Sequence, residues 1–211
     1  MVPMFRVGLT GGIAAGKSVV SGRLAERGGV VIDYDVLARE AVHPGSLGLL
    51  QIAETFGAGV VRADGTLDRT ALATIVFGDD DARARLDAIV HPEIRRMAAE
   101  HEAGAVAADP RAVVVHDVPL LVETGRTDDF HLVVVVDAPE SLRLERLVEG
   151  RGLSVADARS RIAAQADDDD RREAADVVLD GTGTRDGLEE QVDALWERLV
   201  REAADEAGDL R

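Results

Sequence analysis

The feature that most constrains this chain is Gly11-Gly12-Ile13-Ala14-Ala15-Gly16-Lys17-Ser18, which reads G-x-x-x-x-G-K-S. Before it, Phe5 to Thr10 read as a short buried strand. After it, Val19 to Arg27 have helical spacing, with Val20, Leu24 and Arg27 down one side. Strand, glycine loop and helix is the context in which these eight residues cradle phosphate. The glycines let consecutive N–H groups turn inward, and the helix N-terminus adds partial positive charge. Lys17 is then expected to reach the β- and γ-phosphates and the Ser18 hydroxyl to ligate Mg²⁺. A glycine-rich turn with an ordinary surface lysine would spell the same letters. Against that stands composition: Lys17 is the only lysine in 211 residues, and every other basic side chain of this class is arginine. A lone compact ammonium at this position points to a phosphate nest.

The net charge of −16 disfavours nucleic acid and anionic membrane as partners but not ATP, because loop and Mg²⁺ make a local positive site. There is no cysteine, which excludes disulfides and thiolate zinc sites. No stretch approaches 18 apolar residues, and no basic segment followed by an apolar run opens the chain; no membrane association and a cytoplasmic location are expected. The length suits one domain with an insertion, as a monomer or small homo-oligomer.

Four further apolar runs read as strands: Val30 to Asp33, Ala112 to Asp117, Leu132 to Asp137, and Asp176 to Asp180. Helical spacing lies between them and in a final segment marked by Leu188, Val192, Leu195, Trp196, Leu199 and Val200. The alternation predicts an α/β fold with a five-stranded parallel sheet covered by helices on both faces. Asp35 follows the second strand, where carboxylates face the ligand crevice; an N-cap for Val36 to Val42 is the competing reading. An apolar run ending in Asp117 fits the second acidic position of a phosphate-loop enzyme, which holds Mg²⁺. His116 beside it reads equally as a core histidine. Residues 46 to 103 suggest helices over 49–56, 71–77 and 82–90, with a fourth opened by Pro92. This insertion suits a second substrate, or simple crossover packing. Helices are also expected over 139–148 and 154–165. Arg143, Arg146, Arg151, Arg159 and Arg161 make these a candidate closing lid, at least half of the arginines being solvated. Asp167 to Asp170 read as a solvated turn or helix start.

Taken together, these residues resemble the dephospho-coenzyme A kinase family from Val7 to about Trp196. The pieces are Gly8-Leu9-Thr10-Gly11-Gly12-Ile13, Asp33-Tyr34-Asp35, Gly65-Thr66-Leu67-Asp68-Arg69, His91-Pro92, Asp117-Val118-Pro119-Leu120-Leu121-Val122-Glu123, and Arg161-Ile162-Ala163-Ala164-Gln165. The resemblance implies a P-loop NTPase-type kinase in three parts: a nucleotide core (about 1–35, 111–140 and 175–211), a helical acceptor-binding insertion (about 36–110) and a lid (about 141–174). It implies transfer of the γ-phosphoryl of ATP to the ribose 3′-hydroxyl of dephospho-CoA, with Lys17, Asp35 and Arg146 catalytic. Gly11, Gly12, Ile13, Ala14, Ala15, Gly16, Lys17, Ser18, Val19 and Arg151 would contact ATP. Asp35, His91 and Leu120 would contact the acceptor, and Ser18 and Asp117 would hold Mg²⁺. Two places depart from the family pattern. Gly150 stands where many members have a second lid arginine, with Arg151 next to it. Gly181-Thr182-Gly183 replaces an amide-bearing segment near the adenine.

Other classes are separable by sequence or by assay. Another phosphate-loop small-molecule kinase would share the core and differ in acceptor. A regulatory GTPase needs a second lysine for N-K-x-D, which this chain lacks. A non-catalytic ATP-binding protein would not need Asp35.

Overall fold

The structure is a computed structural model, and it describes residues 5–208. Strands β1 (Phe5–Gly11), β2 (Val30–Asp33), β3 (Val113–Asp117), β4 (Leu132–Asp137) and β5 (Val177–Asp180) form one parallel sheet in the order β2-β3-β1-β4-β5. Strands buried on both faces read as unbroken apolar runs, and Val113–Val115 and Val133–Val136 are each 3% exposed or less. Central β1 is flanked by β3 and β4, so its carboxyl end lies where the strand order reverses, the usual ligand crevice of such sheets.

One face of the sheet is covered by α1 (Lys17–Glu26) and α9 (Arg185–Gly208). Val20 and Leu24 of the first and Leu188, Val192, Leu195 and Leu199 of the second share a core with Val7, Leu9, Val115 and Val134. Asp193 ties them further, accepting from Arg23 at 2.8 Å and from Arg27 at 2.7 Å. On the other face, His116 is 2% exposed and its ring lies 5.2 Å from that of Phe130, so it is a core histidine. Helix α8 (Asp168–Glu173) lies against β4.

The chain divides into two compact units, Met1–Asp33 with Ala103–Arg211, and Tyr34–Glu102. The second contains α2 (Tyr34–Glu40), α3 (Leu47–Phe56), α4 (Arg69–Val76) and most of α5 (Asp80–Ala108). Its own core gathers Val42, Leu49, Ile52, Val60, Leu67 and Leu72. The helix starts are set by side chains: Ser46 accepts from Leu49 N at 3.1 Å, and Asp68 from Thr70 N and Ala71 N.

Two expectations about helices need correction. Pro92 does not open a helix but lies inside α5, a single helix of 29 residues. Proline removes one backbone donor and crowds the preceding turn, yet helix-forming Ala and Arg on both sides keep the two arms continuous. The helix expected over 139–148 is shorter: α6 spans Glu140–Glu145, and Arg146–Gly150 form a π-helical turn before α7 (Val155–Ala163). Such turns recur at functional sites and have no signature in apolar spacing.

Candidate active site

β1 delivers the chain into the loop Gly12–Gly16, and α1 begins at Lys17. Ala15 N donates to Gly12 O at 2.9 Å, and Val19 N to Gly16 O at 2.9 Å. Ala14 has φ 64°, the one non-glycine residue with positive φ among those described. A side chain held there is strained by about 1–3 kcal/mol, as functional loops often are. Ser18 is exposed on the first turn of α1, and Val19 is half-buried behind it.

Register brings the carboxylates to the same edge. Asp117 at the end of β3 faces Asp33 at the end of β2 and Leu9 in β1. Asp117 is 4% exposed, and its Oδ1 accepts from Lys17 Nζ. Burial pushes the Asp117 carboxyl above its ordinary range; the Lys17 ammonium pulls it back, and the charge of Asp33 adds to the rise. The sequence positions these two residues 100 apart, and β3 beside β1 closes that gap. The other strand-end carboxylates are engaged elsewhere: Asp137 accepts from Arg172 Nε at 2.9 Å, and Asp180 from Thr182 N at 2.8 Å.

Of the five candidate lid arginines, three are solvated: Arg151, Arg159 and Arg161 are exposed. Arg146, on the π-helical turn, is half-buried against the loop. It donates from Nη1 to Ala14 O at 3.1 Å and Ala15 O at 3.3 Å, and from Nη2 to Gly181 O at 2.7 Å. It therefore clasps the phosphate loop to the turn after β5. That turn comes so close that a Cβ on Gly181 would stand 2.1 Å from Ala15 O, so the glycine is fixed by the backbone approach. Arg151, also expected here, makes no such contact.

Two residues that sequence reasoning did not place at the site lie against the loop. Gln165, just past α7, accepts from Ile13 N at 2.7 Å. Arg143 is 2% exposed, and a Cβ on Gly12 would sit 2.6 Å from its Nη1. Its Nε donates to Ala138 O at 2.9 Å and its Nη2 to Asp168 at 2.7 Å, while Nη1 has no partner. Asp168 also accepts from buried Arg171. Part of the acidic run thus anchors buried guanidiniums. Arg143 stands among the candidate lid arginines of the sequence, about one helical turn before Arg146, and that spacing is the signal that points it to the loop.

The remaining expected residues lie on separate elements. Leu120 lies 46% exposed in the turn after β3. Asp35 is in the first turn of α2, inside the helix and not at its N-cap. His91 is exposed on α5, with Asp87 3.9 Å away as its neighbour one turn back.

The dephospho-CoA kinase family profile matches residues 5–186. The chain belongs to the dephospho-CoA kinase family. It is 51% identical over 195 residues to the dephospho-CoA kinase of Cutibacterium acnes, covering 92% of this chain and 84% of that protein. It is 52% identical over 198 residues to the one from Mycobacterium tuberculosis, covering 94% of this chain but only 48% of that longer protein. A crystal structure from Thermus thermophilus superposes with TM-score 0.80 at 34% identity, covering 93% of this chain and 98% of that one. The family departures named above therefore sit within a genuine member. Among the described residues no helix is long and apolar enough to cross a membrane.

Proposed function

We propose that this chain transfers the γ-phosphoryl of ATP to the ribose 3′-hydroxyl of dephospho-CoA, the step its family performs at the end of coenzyme A synthesis. The observation that carries the reading is Lys17 at the mouth of the phosphate loop, paired to the buried carboxylate of Asp117. Phosphoryl transfer needs neutralised charge, in-line positioning and exclusion of water. Gly11 to Val19 bind the phosphates. Lys17 exchanges its partner Asp117 for the β- and γ-phosphates as the nucleotide arrives. Asp35 orients the 3′-hydroxyl and accepts its proton.

Mg²⁺ suits the donors present. The Ser18 hydroxyl and Asp117 carboxylate are hard oxygen ligands, and Mg²⁺ takes one or two protein ligands with substrate phosphates supplying others. Accordingly, no group of three or more His, Cys, Asp or Glu is needed, and none is placed to hold an ion among the described residues. Bound there, Mg²⁺ would neutralise charge on the transferring group. Arg146 steadies the loop and stands ready for charge that develops during transfer; residues 141–174 form the lid. His91 and Leu120 contact the acceptor. The enzyme works in the cytoplasm on small molecules, as a monomer or small homo-oligomer.

A coupled ADP-release assay with ATP and Mg²⁺ tests the reading. Dephospho-CoA should support turnover at least a hundredfold faster than AMP, adenosine or shikimate. Equal or faster turnover with another of these acceptors would overturn it.

A further inference from the structure

A cavity of about 430 Å³ lies wholly within the helical unit, between the end of α2, the loop after it and the start of α4. That volume lies in the range of small-molecule sites. Its wall carries Arg39, Arg62 and Arg69 against a single carboxylate, Asp64, in a chain whose net charge is −16. Asp64 is committed to its own turn. It accepts from Thr66 N at 3.0 Å and Thr66 Oγ1 at 2.6 Å, which hold it ionised and close the turn.

The arginines, by contrast, are exposed and lightly engaged. Arg39 donates from Nε to Asp35 O at 2.9 Å, and its two terminal nitrogens make no hydrogen bond among the described residues. Arg62 reaches Asp68 only through Nε, at 3.4 Å. Arg69 pairs with no carboxylate among the described residues. Its position is also the wrong one for helix stability: it is the first residue of α4, where the macrodipole disfavours a cation. The Asp68 carboxylate already caps that N-terminus, and the Arg69 guanidinium stands exposed on the cavity wall. Val42 and Leu67, 6% and 9% exposed, give the cavity an apolar floor continuous with the unit's core.

We propose that this cavity is the subsite for the diphosphate of the acceptor, a nucleoside 5′-diphosphate ester. The inference rests on the functional reading above and names the part of the acceptor that the helical unit grips. Asp35 and Arg39 are one turn apart on the same side of α2, about 6 Å along the axis. If Asp35 takes the 3′-hydroxyl, Arg39 meets what hangs from the same ribose a few bonds away, namely the 5′-diphosphate. Arg39 and Arg69 grip it through paired N–H groups, a geometry that guanidinium offers and ammonium does not. The apolar floor then receives the uncharged chain beyond the second phosphate.

The test is steady-state kinetics of Arg39→Gln, Arg69→Gln and the double variant, with wild-type melting profiles as a requirement. Each single change should raise the KM for dephospho-CoA about tenfold and the double change about a hundredfold, with the KM for ATP within twofold. Calorimetric affinity for dephospho-CoA without ATP should fall in parallel. The slow turnover of adenosine, which has no diphosphate, should be insensitive to both changes. Inorganic pyrophosphate should compete with dephospho-CoA in the wild type and lose that competition in the double variant. A KM for dephospho-CoA within twofold of wild type in the double variant would overturn the inference and leave the functional reading standing. So would an equal rise in the KM for ATP, the mark of a general structural effect. If the wild type neither bound nor phosphorylated dephospho-CoA, the functional reading would fall, and this subsite with it.

Discussion

Two sets of arginines, one in each unit, are held in opposite ways. In the nucleotide unit Arg143 and Arg171 are buried and locked on Asp168, Arg23 and Arg27 on Asp193, and Arg172 on Asp137. In the helical unit Arg83 and Arg96 pair with carboxylates of α5, but Arg39 and Arg69 at the cavity have no carboxylate partner among the described residues, although the chain has 40 acidic residues to offer. A cation already satisfied by protein is part of the framework, since removing one partner of a buried pair strands the other charge. A cation held in place but left unsatisfied is available to a ligand. The single lysine stands between the two conditions: Lys17 has a carboxylate partner but keeps 21% of its side chain exposed.

The largest effects should separate the units by which substrate they disturb. Asp35→Asn, in the helical unit, should lower turnover by about 10²–10⁴-fold. The amide keeps the size but exchanges an anionic acceptor for a neutral group that also carries donors. Affinity for ATP should change little. Lys17→Ala, in the nucleotide unit, should lower turnover by about 10²-fold or more, because it contacts charge that moves during transfer. It should weaken ATP as well. Steady-state kinetics with a fluorescent-nucleotide titration checks both. If Asp35→Asn weakened ATP as much as Lys17→Ala did, the division of labour would be wrong. Asp137→Asn, a strand-end carboxylate occupied by Arg172, is the control and should cost much less than either.

A middle-sized effect sharpens the contrast in backbone packing. Gly181→Ala drives a methyl to within 2.1 Å of Ala15 O, a backbone atom that cannot swing aside, so the phosphate loop must shift. Overpacking of this kind costs about 1–3 kcal/mol, a loss of several degrees in melting temperature at this size, and the KM for ATP should rise about tenfold. Gly59→Ala in the helical unit meets nothing within 4 Å and should stay within about 0.5 kcal/mol of wild type. Similar melting temperatures for the two variants would mean that the loop yields without strain.

What the sequence made legible follows the same division. The sheet could be read because each strand is a continuous apolar run and the loop octet fixes which strand leads. Residues 100 apart, such as Lys17 and Asp117, could be assigned to one site from the motif and the acidic strand end. The helical unit was harder, because helical spacing does not show whether Pro92 begins a helix or interrupts one. Nor does it show the π-helical turn at Arg146–Gly150. Charges were least legible: Arg143 and Arg151 look alike in the sequence, yet one is buried against the loop and the other solvated. Only the fold decides which arginine finds an aspartate.

The smallest effect concerns the pair itself. Burial raises the Asp117 carboxyl despite the pull of Lys17, so folding disfavours its ionised form. Below the unfolded value of about 3.8, Asp117 is protonated in both states and contributes nothing. As pH rises through that value the unfolded chain releases the proton first. The native state then binds more protons, and stability falls with pH until the native carboxyl has also ionised. At neutral pH the full penalty remains. Asp117→Asn removes it, and water reaches the Lys17 side chain, 21% exposed, when its partner becomes neutral. The variant should therefore melt one or two degrees higher than wild type at pH 7, and the difference should shrink toward pH 4. Turnover should nevertheless fall at least about tenfold, through loss of the carboxylate proposed for Mg²⁺. Calorimetric melting across pH 4–8 measures the slope. A variant that melts several degrees lower at pH 7 would show that the attraction to Lys17 outweighs burial. The pair would then belong with the framework cations of its unit, not with those awaiting a ligand.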